Sequence, residues 1–354
     1  MSLDPIPEET STSVGLPSAA RTDPAPEIEG YVIERPLGHG GMGTVFLARD
    51  QTLDRQVALK LLPQRVTGDP EARRRFAREA RALARIVHPN IVPIHAFGEA
   101  DCGEYMVMAY VDGTSLREIL TAALQGRGDR FARLFSRKAG REPLANLASA
   151  RVARTVAEAL DEIHQAGIVH RDVKPANVVI DSKGRPYLVD FGIACAPASG
   201  LLACDAISTG TLRYMPPEYL DGGADQVDPR SDLYSLGLML FEMLTLAPAF
   251  PGDDLNTLLR SVTAGLSRFP RALNGSVSAT LDRIVRRATA RLPKDRFPSA
   301  QAMAEELRRA EHELAFAESL AGAQALGPQL EQALRRFPGS SLYSRLMRRL
   351  RACR

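Results

Sequence analysis

The sequence predicts an α+β fold of two lobes, in which a small β-rich unit precedes a larger helical unit and a cleft lies between them. Two observations predict this order. Residues 31–112 contain short apolar and β-branched segments separated by glycine turns, which is typical of strands. After Gly113 the chain becomes mostly helical in pattern. We therefore place an N-lobe over 30–112 and a C-lobe over 113–312.

The small lobe is predicted to hold five strands and one helix. The strands are expected over 31–38, 43–50, 56–63, 91–100 and 104–111. The helix is expected over 70–87, because Phe76, Ala80, Leu83 and Val87 share one stripe at helical spacing.

The large lobe is predicted to be mainly helical. A helix over 148–167 should end at Gly167, and another should run over 231–245. Short strands are expected over 178–180 and 187–190, followed by a long loop. An arginine-rich stretch over about 124–148 is interpreted as an inserted loop.

The two ends of the chain have their own composition. Residues 1–29 are rich in Pro, Ser, Thr and acidic residues, which predicts a disordered segment. Residues 313–354 form a basic tail that is predicted to be helical. Leu342, Leu346 and Leu350 share one face of its last helix. The tail is expected to dock on its own lobe, on an acidic protein partner or on an anionic membrane surface.

Composition limits the class of protein. Hydrophobic residues make up 45% and charged residues 25% of the 354 residues, as in ordinary globular proteins. The net charge of +3 does not indicate a nucleic-acid partner. The four cysteines show no CxxC pairing, so free thiols are expected. Neither a transmembrane segment nor a secretory signal is evident, and a cytoplasmic location is expected.

A glycine-rich turn follows the first predicted strand. Residues 38–43 read GHGGMG, a GxGxxG spacing that is also found in dinucleotide-binding folds. A dinucleotide fold requires a helix next, whereas this chain continues as the strand TVFLARD. Glycines let main-chain N–H groups approach phosphate oxygens without a Cβ in the way. A phosphate-covering hairpin is the prediction, with an ordinary hairpin turn as the alternative.

Lys60 ends the run VALK on the third predicted strand. Its expected role is to hold the α- and β-phosphates of a nucleotide, although a lysine at a strand end is commonly a surface residue. Glu79, on the arginine-rich helix that follows, is expected to pair with Lys60 when that helix moves inward. Such a pair would be a two-state element able to regulate activity.

The segment HRDVKPAN, from His170 to Asn177, is the strongest chemical signal. Asp172 is placed to accept a proton from an attacking hydroxyl, and Lys174 to neutralise a moving phosphoryl group. Asn177 and Asp190, the latter in the motif DFG, offer oxygen ligands of the kind that Mg²⁺ prefers. Phosphoryl transfer requires charge neutralisation and alignment, which these residues supply.

Taken together in order, the motifs LGHGGMGTV, VALK, HPNIV, HRDVKPAN, DFG, GTLRYMPPE and RSDLYSLG resemble the bacterial, eukaryotic-like serine/threonine protein kinases. The resemblance covers about residues 31–312. It implies the two-lobed protein-kinase fold, with ATP in the cleft, and transfer of the γ-phosphoryl group of Mg-ATP (or Mn-ATP) to serine and threonine hydroxyls of protein substrates. Signalling and autophosphorylation, at Ser208 or Thr209, are also expected.

The resemblance also assigns the nucleotide site. Besides Lys60, the implied contacts are Leu37, Gly38, His39, Gly40, Gly41, Met42, Gly43, Val45, Ala58, Met108, Ala109, Tyr110, Val111, Ser115 and Val179.

Other roles are implied outside the nucleotide site. A regulatory stack of Leu83, Ile94, His170 and Phe191 is expected to be anchored on Asp232, Thr211 to face the substrate, and Glu218 to pair with Arg296.

Two other functions are alternatives to an active protein kinase. A pseudokinase scaffold would lack Lys60, Asp172, Asn177 or Asp190, and all four are present. A small-molecule kinase would lack the peptide-docking segment from Asp190 to Glu218.

Overall fold

Five antiparallel strands form the main sheet, in the spatial order β1-β2-β3-β5-β4. The strands are β1 (Tyr31–Gly40), β2 (Gly43–Asp50), β3 (Arg55–Leu61), β4 (Ile94–Ala100) and β5 (Gly103–Ala109). The structure is a computed structural model that describes residues 26–40, 43–62, 70–127, 130–135, 142–190, 209–221, 228–252 and 254–335. The predicted strand-rich first lobe is confirmed.

β4 is shorter than the sequence predicts. It begins at Ile94 rather than at residue 91. Pro93 has no N–H to donate to a ladder, which places the start of regular pairing after it. Pro93 still contributes its carbonyl oxygen, which accepts a 3.0 Å hydrogen bond from the N–H of Ala109 on β5.

The first helix, α1 (Pro70–Leu83), packs Ala80 and Leu83 into the hydrophobic core. Its predicted extension to Val87 is wrong, because the helix ends at Leu83 and Val87 is 93% exposed. After Leu83 the main-chain bonds change to the tighter i→i−3 pattern, from Arg85 to Ala82 and from Ile86 to Leu83. The side chain of Phe76 lies outside the described residues.

A second sheet lies in the larger lobe, and an isolated bridge between Ile91 and Leu188 connects it to the small lobe. It consists of β6 (Gly113–Ser115), β7 (Val178–Asp181) and β8 (Pro186–Leu188), in that order. β7 and β8 agree in place with the predicted short strands, whereas β6 was missed. A three-residue strand has too few residues to show a period of two, so only its partner β7 reveals it. The register pairs Ser115 with Val179.

Helices dominate the remainder of the chain, as predicted. The helices are α2 (Leu116–Leu124), α3 (Arg130–Leu134), α4 (Glu142–Gln165), α5 (Thr209–Leu212), α6 (Glu218–Asp221), α7 (Pro229–Thr245), α8 (Leu255–Ala264), α9 (Pro270–Leu273), α10 (Ala279–Ala288) and α11 (Ala300–Arg335).

α7 forms the centre of the second lobe. Its residues from Ser231 to Thr245 are all buried. A Cβ added to Gly237 would lie 2.7 Å from the Cβ of Ala288, so the glycine allows α7 and α10 to approach closely. A helix buried on every side has no polar face, which explains why it resembles a simple apolar run in the sequence.

The interpretation of residues 124–148 as an inserted loop is wrong in part. Residues 130–134 form α3, and α4 already begins at Glu142. Ala132 and Phe135 are buried in the main core. Arginines in this stretch obscure the apolar positions, because only one narrow face of so short a helix is buried.

The basic tail begins inside a helix that belongs to the second lobe. α11 has 36 residues, and the boundary predicted at 312 falls within it. Arg151 and Arg154 on α4 donate to the Glu311 carboxylate at 2.8 Å each. The segment carrying the leucines at 342, 346 and 350 lies outside the described residues. In the part of the chain that is described, no helix is long and apolar enough to cross a membrane.

Candidate active site

Asp232 anchors the loop that carries the HRD motif. It lies in the first turn of α7 and is 1% exposed. Its carboxylate accepts hydrogen bonds of 2.8 Å from the main-chain N–H groups of His170 and Arg171. The Nε2 atom of His164, at the end of α4, lies 2.8 Å from the same carboxylate. These contacts hold the main chain immediately before Asp172.

Asp172 lies in a buried cluster of polar side chains. The ammonium of Lys174 is 2.7 Å from its Oδ2, and the amide of Asn177 donates to the same oxygen at 2.8 Å. Lys174 also donates to the hydroxyl of Thr211 at 3.0 Å. The sequence-predicted base, cation and substrate-loop threonine are therefore adjacent.

Burial raises the pKa of the Asp172 carboxyl, and the charge of Lys174 opposes that shift. A carboxylate is a better proton acceptor when burial raises its pKa, provided that a nearby cation keeps it ionised. The geometry supplies both conditions.

Lys60 and Asp190 form an ion pair across the cleft. The Lys60 side chain, on β3, is 2% exposed, whereas that of Asp190 is 25% exposed. Asp190 has a left-handed backbone with φ of 57°, and its carbonyl oxygen lies 3.3 Å from the amide nitrogen of Asn177. The two predicted metal ligands and the predicted phosphate-binding lysine thus meet at one place.

The predicted contact between Glu79 and Lys60 is not made in this structure. Glu79 instead accepts two hydrogen bonds from the Arg171 guanidinium, at 3.1 and 3.2 Å. Both bonds come from the Nη1 atom, so one guanidinium nitrogen is shared between the two carboxylate oxygens. Asp190 is paired with Lys60, and Glu79 is paired with Arg171. The sequence does not indicate this pairing.

Apolar side chains from both lobes form one cluster, whose member Met106 on β5 pairs with Lys60 on β3. Ala58 and Met108 are buried there, and Val45, Ala109 and Val111 pack against them. The cluster also contains Val92, Ile94, Met106, Tyr187 and Val189. The other predicted apolar contacts, Leu37 and Val179, are partly exposed. A flat aromatic ring such as adenine would find apolar contact in this cluster.

The hinge between the lobes has one main-chain group already in use. The N–H of Ala109 donates to the Pro93 carbonyl oxygen. Any hydrogen bonds from residues 109–111 to the adenine of a nucleotide must therefore come from other main-chain groups. Tyr110 and Val111 are partly buried at this point. Ser115 caps α2, accepting a 3.2 Å hydrogen bond from the N–H of Glu118.

The glycine-rich turn joins β1 to β2, as predicted. Gly38 lies opposite Val45, and Gly40 lies opposite Gly43. The Nδ1 atom of His39 lies 2.6 Å from the hydroxyl oxygen of Thr44. Gly41 and Met42, at the tip, lie outside the described residues.

Three of the four members of the expected regulatory stack can be located. Leu83 and His170 are buried, and Ile94 is partly buried against the core. Phe191 lies outside the described residues. Burial lowers the pKa of His170 from 6.5 to about 4, so the imidazole is neutral at physiological pH.

The predicted pair between Glu218 and Arg296 is formed. Two hydrogen bonds of 2.7 Å join the carboxylate to the guanidinium, and the Ser231 hydroxyl donates to Glu218 at 2.7 Å. This contact ties the end of the segment that contains Thr211 to the second lobe.

The cleft offers two oxygen donors for a divalent metal, on Asn177 and Asp190. Asn177 turns its amide nitrogen toward Asp172, which directs its amide oxygen away from that residue. Among the described residues, no group of three or more His, Cys, Asp or Glu side chains could hold a metal by itself. Mg²⁺ usually binds one or two protein carboxylates together with substrate phosphates and water, so the amide of Asn177 and the carboxylate of Asp190 fit it.

Sequence reasoning missed a network beside this site. Arg117, Tyr214 and Glu242 are mutually hydrogen bonded, although they are far apart in the chain. Tyr214 lies within the motif GTLRYMPPE, but no local pattern indicates its partners on α2 and α7.

Comparisons with known proteins agree with this geometry. The family model "Protein kinase domain" matches residues 31–307. The serine/threonine-protein kinase PknE of Mycobacterium bovis is 36% identical over 267 residues, which are 75% of this chain and 44% of that protein. PrkC of Bacillus subtilis, also named a serine/threonine-protein kinase, is 35% identical over 280 residues, which are 79% of this chain and 40% of that protein.

A solved kinase domain has a similar fold. The PknI kinase domain of Mycobacterium tuberculosis superimposes with a TM-score of 0.59 at 34% identity, over 80% of this chain and 97% of that one. The chain spans about two fifths of the length of the curated relatives named above. On these motifs, this fold and these relatives, the chain belongs to the protein kinase family, in its bacterial, eukaryotic-like serine/threonine branch.

Proposed function

We propose that this chain is an active serine/threonine protein kinase that transfers the γ-phosphoryl group of ATP to protein hydroxyls. One observation carries the proposal: Asp172 lies in a buried loop, held by Lys174 and Asn177, opposite the pair formed by Lys60 and Asp190. In this proposal, the set would supply a base, two cations and two oxygen ligands around one cleft. Phosphoryl transfer requires such positioning and charge neutralisation more than covalent chemistry.

Each side chain has a role in this proposal. Asp172 accepts the proton of the attacking hydroxyl, and Lys174, bonded to both Asp172 and Thr211, sets the distance between the base and the substrate loop. Lys60 binds the phosphates of the nucleotide. Glu79 is a positioning residue for Lys60, which requires α1 to move so that Glu79 leaves Arg171.

The nucleotide would lie in the apolar cluster around Ala58 and Met108. The glycine-rich turn would cover its phosphates with main-chain N–H groups. A bound Mg²⁺ or Mn²⁺ would supply neutralisation of the phosphate charge, with Asn177 and Asp190 as its protein ligands. We expect activity to disappear when chelator removes the divalent metal and to return when the metal is added back.

Turnover with labelled ATP and a generic protein substrate tests the proposal. Asp172→Asn keeps the shape of the side chain but removes the base, and should lower turnover by about 10²–10⁴-fold. Lys60→Met and Asp190→Asn should abolish transfer without unfolding the protein. Glu306→Gln, on the surface of α11, is a matched control that should retain turnover and melting temperature.

Three results would contradict the proposal. Full turnover in Asp172→Asn would contradict the role of Asp172 as the base, and full turnover in Asp190→Asn would contradict its role as a metal ligand. Wild-type protein that binds ATP without transferring phosphate to protein would instead favour the scaffold function. Transfer only to small molecules would favour the third function that the sequence left open.

We also propose that the segment between Asp190 and Glu218 regulates the enzyme. Autophosphorylation at Ser208 or Thr209 would supply a charge of about −1.5 to −2 that competes with Glu79 for Arg171. Ser208 lies outside the described residues, and Thr209 begins α5. Mass spectrometry after incubation with ATP tests this; a fully active sample without phosphate at either residue contradicts it.

Several expectations about the whole molecule stay predictions. These are the domain boundaries, the disordered first 29 residues, the protein partner for the tail and the cytoplasmic location. On α11, Leu314 packs against the core and Phe316 is 72% exposed. Deleting residues 336–354 should leave melting and peptide phosphorylation unchanged if that segment serves a partner.

A further inference from the structure

Arg117 lies at the centre of a closed network of three side chains. Its guanidinium donates to Glu242 at 2.7 Å and also to the hydroxyl of Tyr214. The Tyr214 hydroxyl in turn donates to the other carboxylate oxygen of Glu242. Each group therefore contacts the other two. A hydroxyl that accepts from one partner and donates to the other has its hydrogen-bonding direction determined by both.

The three residues belong to three different parts of the molecule. Arg117 is in the first turn of α2, two residues after the N-cap residue Ser115. Tyr214 belongs to the segment that follows α5, and Glu242 lies in the buried helix α7. The network thus links the start of α2, which follows the hinge and β6, to the segment that borders Asp172.

The segment around Tyr214 is joined to the catalytic residues at its other end. Thr211, three positions earlier, accepts from Lys174, and Lys174 pairs with Asp172. The carbonyl oxygen of Tyr214 accepts a 2.7 Å hydrogen bond from the Ser235 hydroxyl on α7. The main chain from 211 to 214 is therefore held at both ends, by the catalytic loop and by the Arg117 network.

Charge explains why an arginine is required. The Glu242 side chain is 8% exposed, and a buried carboxylate needs a cation or several donors to remain ionised. Burial and the adjacent carboxylate raise the pKa of Tyr214, so its phenol stays protonated and acts as a donor. Only a guanidinium can bond Glu242 and Tyr214 simultaneously with a rigid fork.

We propose that Arg117 is a positioning residue for the protein substrate, acting through Tyr214 on the segment that receives the residues around the acceptor hydroxyl. The inference depends on the proposed kinase activity. It adds a residue that touches neither ATP nor the base but determines how well a peptide is held beside Asp172.

Two substitutions test the inference. Tyr214→Phe removes only the hydroxyl that joins the network, and Arg117→Met removes the cation while keeping an unbranched apolar side chain. Each should raise the KM for a peptide substrate by about tenfold, the usual cost of losing a hydrogen bond to a charged group. The KM for ATP should stay within about twofold. Arg117→Lys, which retains the charge without the fork, should recover part of the loss.

Arg151→Met is the matched control, because Arg151 makes a comparable ion pair with Glu311 on a different helix pair. It should change neither KM. Lower melting temperatures in the Arg117 and Tyr214 variants with an unchanged peptide KM would overturn the inference, since the network would then serve stability alone. Equal rises in both KM values would also overturn it.

Amide hydrogen exchange provides a readout that does not require turnover. In Arg117→Met, residues 209–221 should exchange faster than in the wild type, while α4 and α10 keep their protection. This result can be obtained even if the wild type transfers no phosphate, so failure of the proposed activity is distinguishable from failure of the inference. Unchanged exchange over 209–221 would overturn the role of Arg117.

Discussion

Replacing Glu218 with glutamine removes the counter-charge of a fully buried arginine. The Arg296 side chain is 0% exposed and that of Glu218 is 7% exposed. Arg296 would keep its hydrogen bonds to the carbonyl oxygens of Ala290 and Arg291, at 2.8 and 2.9 Å. These carbonyls are dipoles rather than charges, so they offset only part of the cost of a buried cation.

The size of the effect follows from burial. Breaking a buried ion pair by removing one partner costs about 3–5 kcal/mol, because an uncompensated charge stays in the interior. At about 2 °C per kcal/mol for a domain of this size, the melting midpoint of Glu218→Gln should fall by about 6–10 °C. Replacing both Glu218 and Arg296 with apolar residues of similar volume should recover part of this loss.

Thermal melting followed by circular dichroism measures the change. Glu306→Gln is the control, because its pair with Arg309 lies on the surface, where the arginine side chain is 69% exposed. Surface pairs of this kind contribute about 0.2–1 kcal/mol, so the control should shift the midpoint by no more than about 2 °C. Equal shifts in the two variants would refute the argument from burial.

Three further predictions concern the catalytic loop and the sheets. The pKa of His170 is 6.5 in the unfolded chain and about 4 in the folded protein. As the pH is lowered, the imidazole of the unfolded chain therefore binds a proton at a higher pH than that of the folded protein. The free energy of unfolding should therefore decrease as the pH falls from 6.5 toward 4. The melting temperature of His170→Phe should decrease less over this pH range than that of the wild type. Gly113→Ala places a Cβ against a β7 carbonyl oxygen and should lower the melting temperature, whereas Gly275→Ala, with open space, should not. Glu79→Gln should lower turnover with little change in melting; increased turnover would show that its contact with Arg171 is only inhibitory.

Motifs that act within a few residues were predictable from the sequence. Asp172, Lys174 and Asn177 lie within one loop of the chain, and their mutual contacts follow from that spacing. The glycine-rich turn between β1 and β2 was predictable for the same reason. Local spacing limits how far apart such side chains can lie, whatever the rest of the chain does.

Long apolar segments also predicted the two lobes, but not all of their boundaries. β6 was missed and α1 was extended too far, because a three-residue strand and the last turn of a helix are decided by neighbours in space. The helix α3 was hidden by arginines, since only its few buried positions carry a signal.

The sequence by itself determined the family motifs, the order of the lobes and the identity of the charged groups in the cleft. Tertiary structure decided which of those charges meet. Glu79 could have paired with Lys60 or with Arg171, and Glu242 had no local indication of Arg117 as its partner. Ion pairs between distant residues depend on how helices and strands pack, because a charge pairs with whichever opposite charge the fold brings within hydrogen-bonding distance and shields from water.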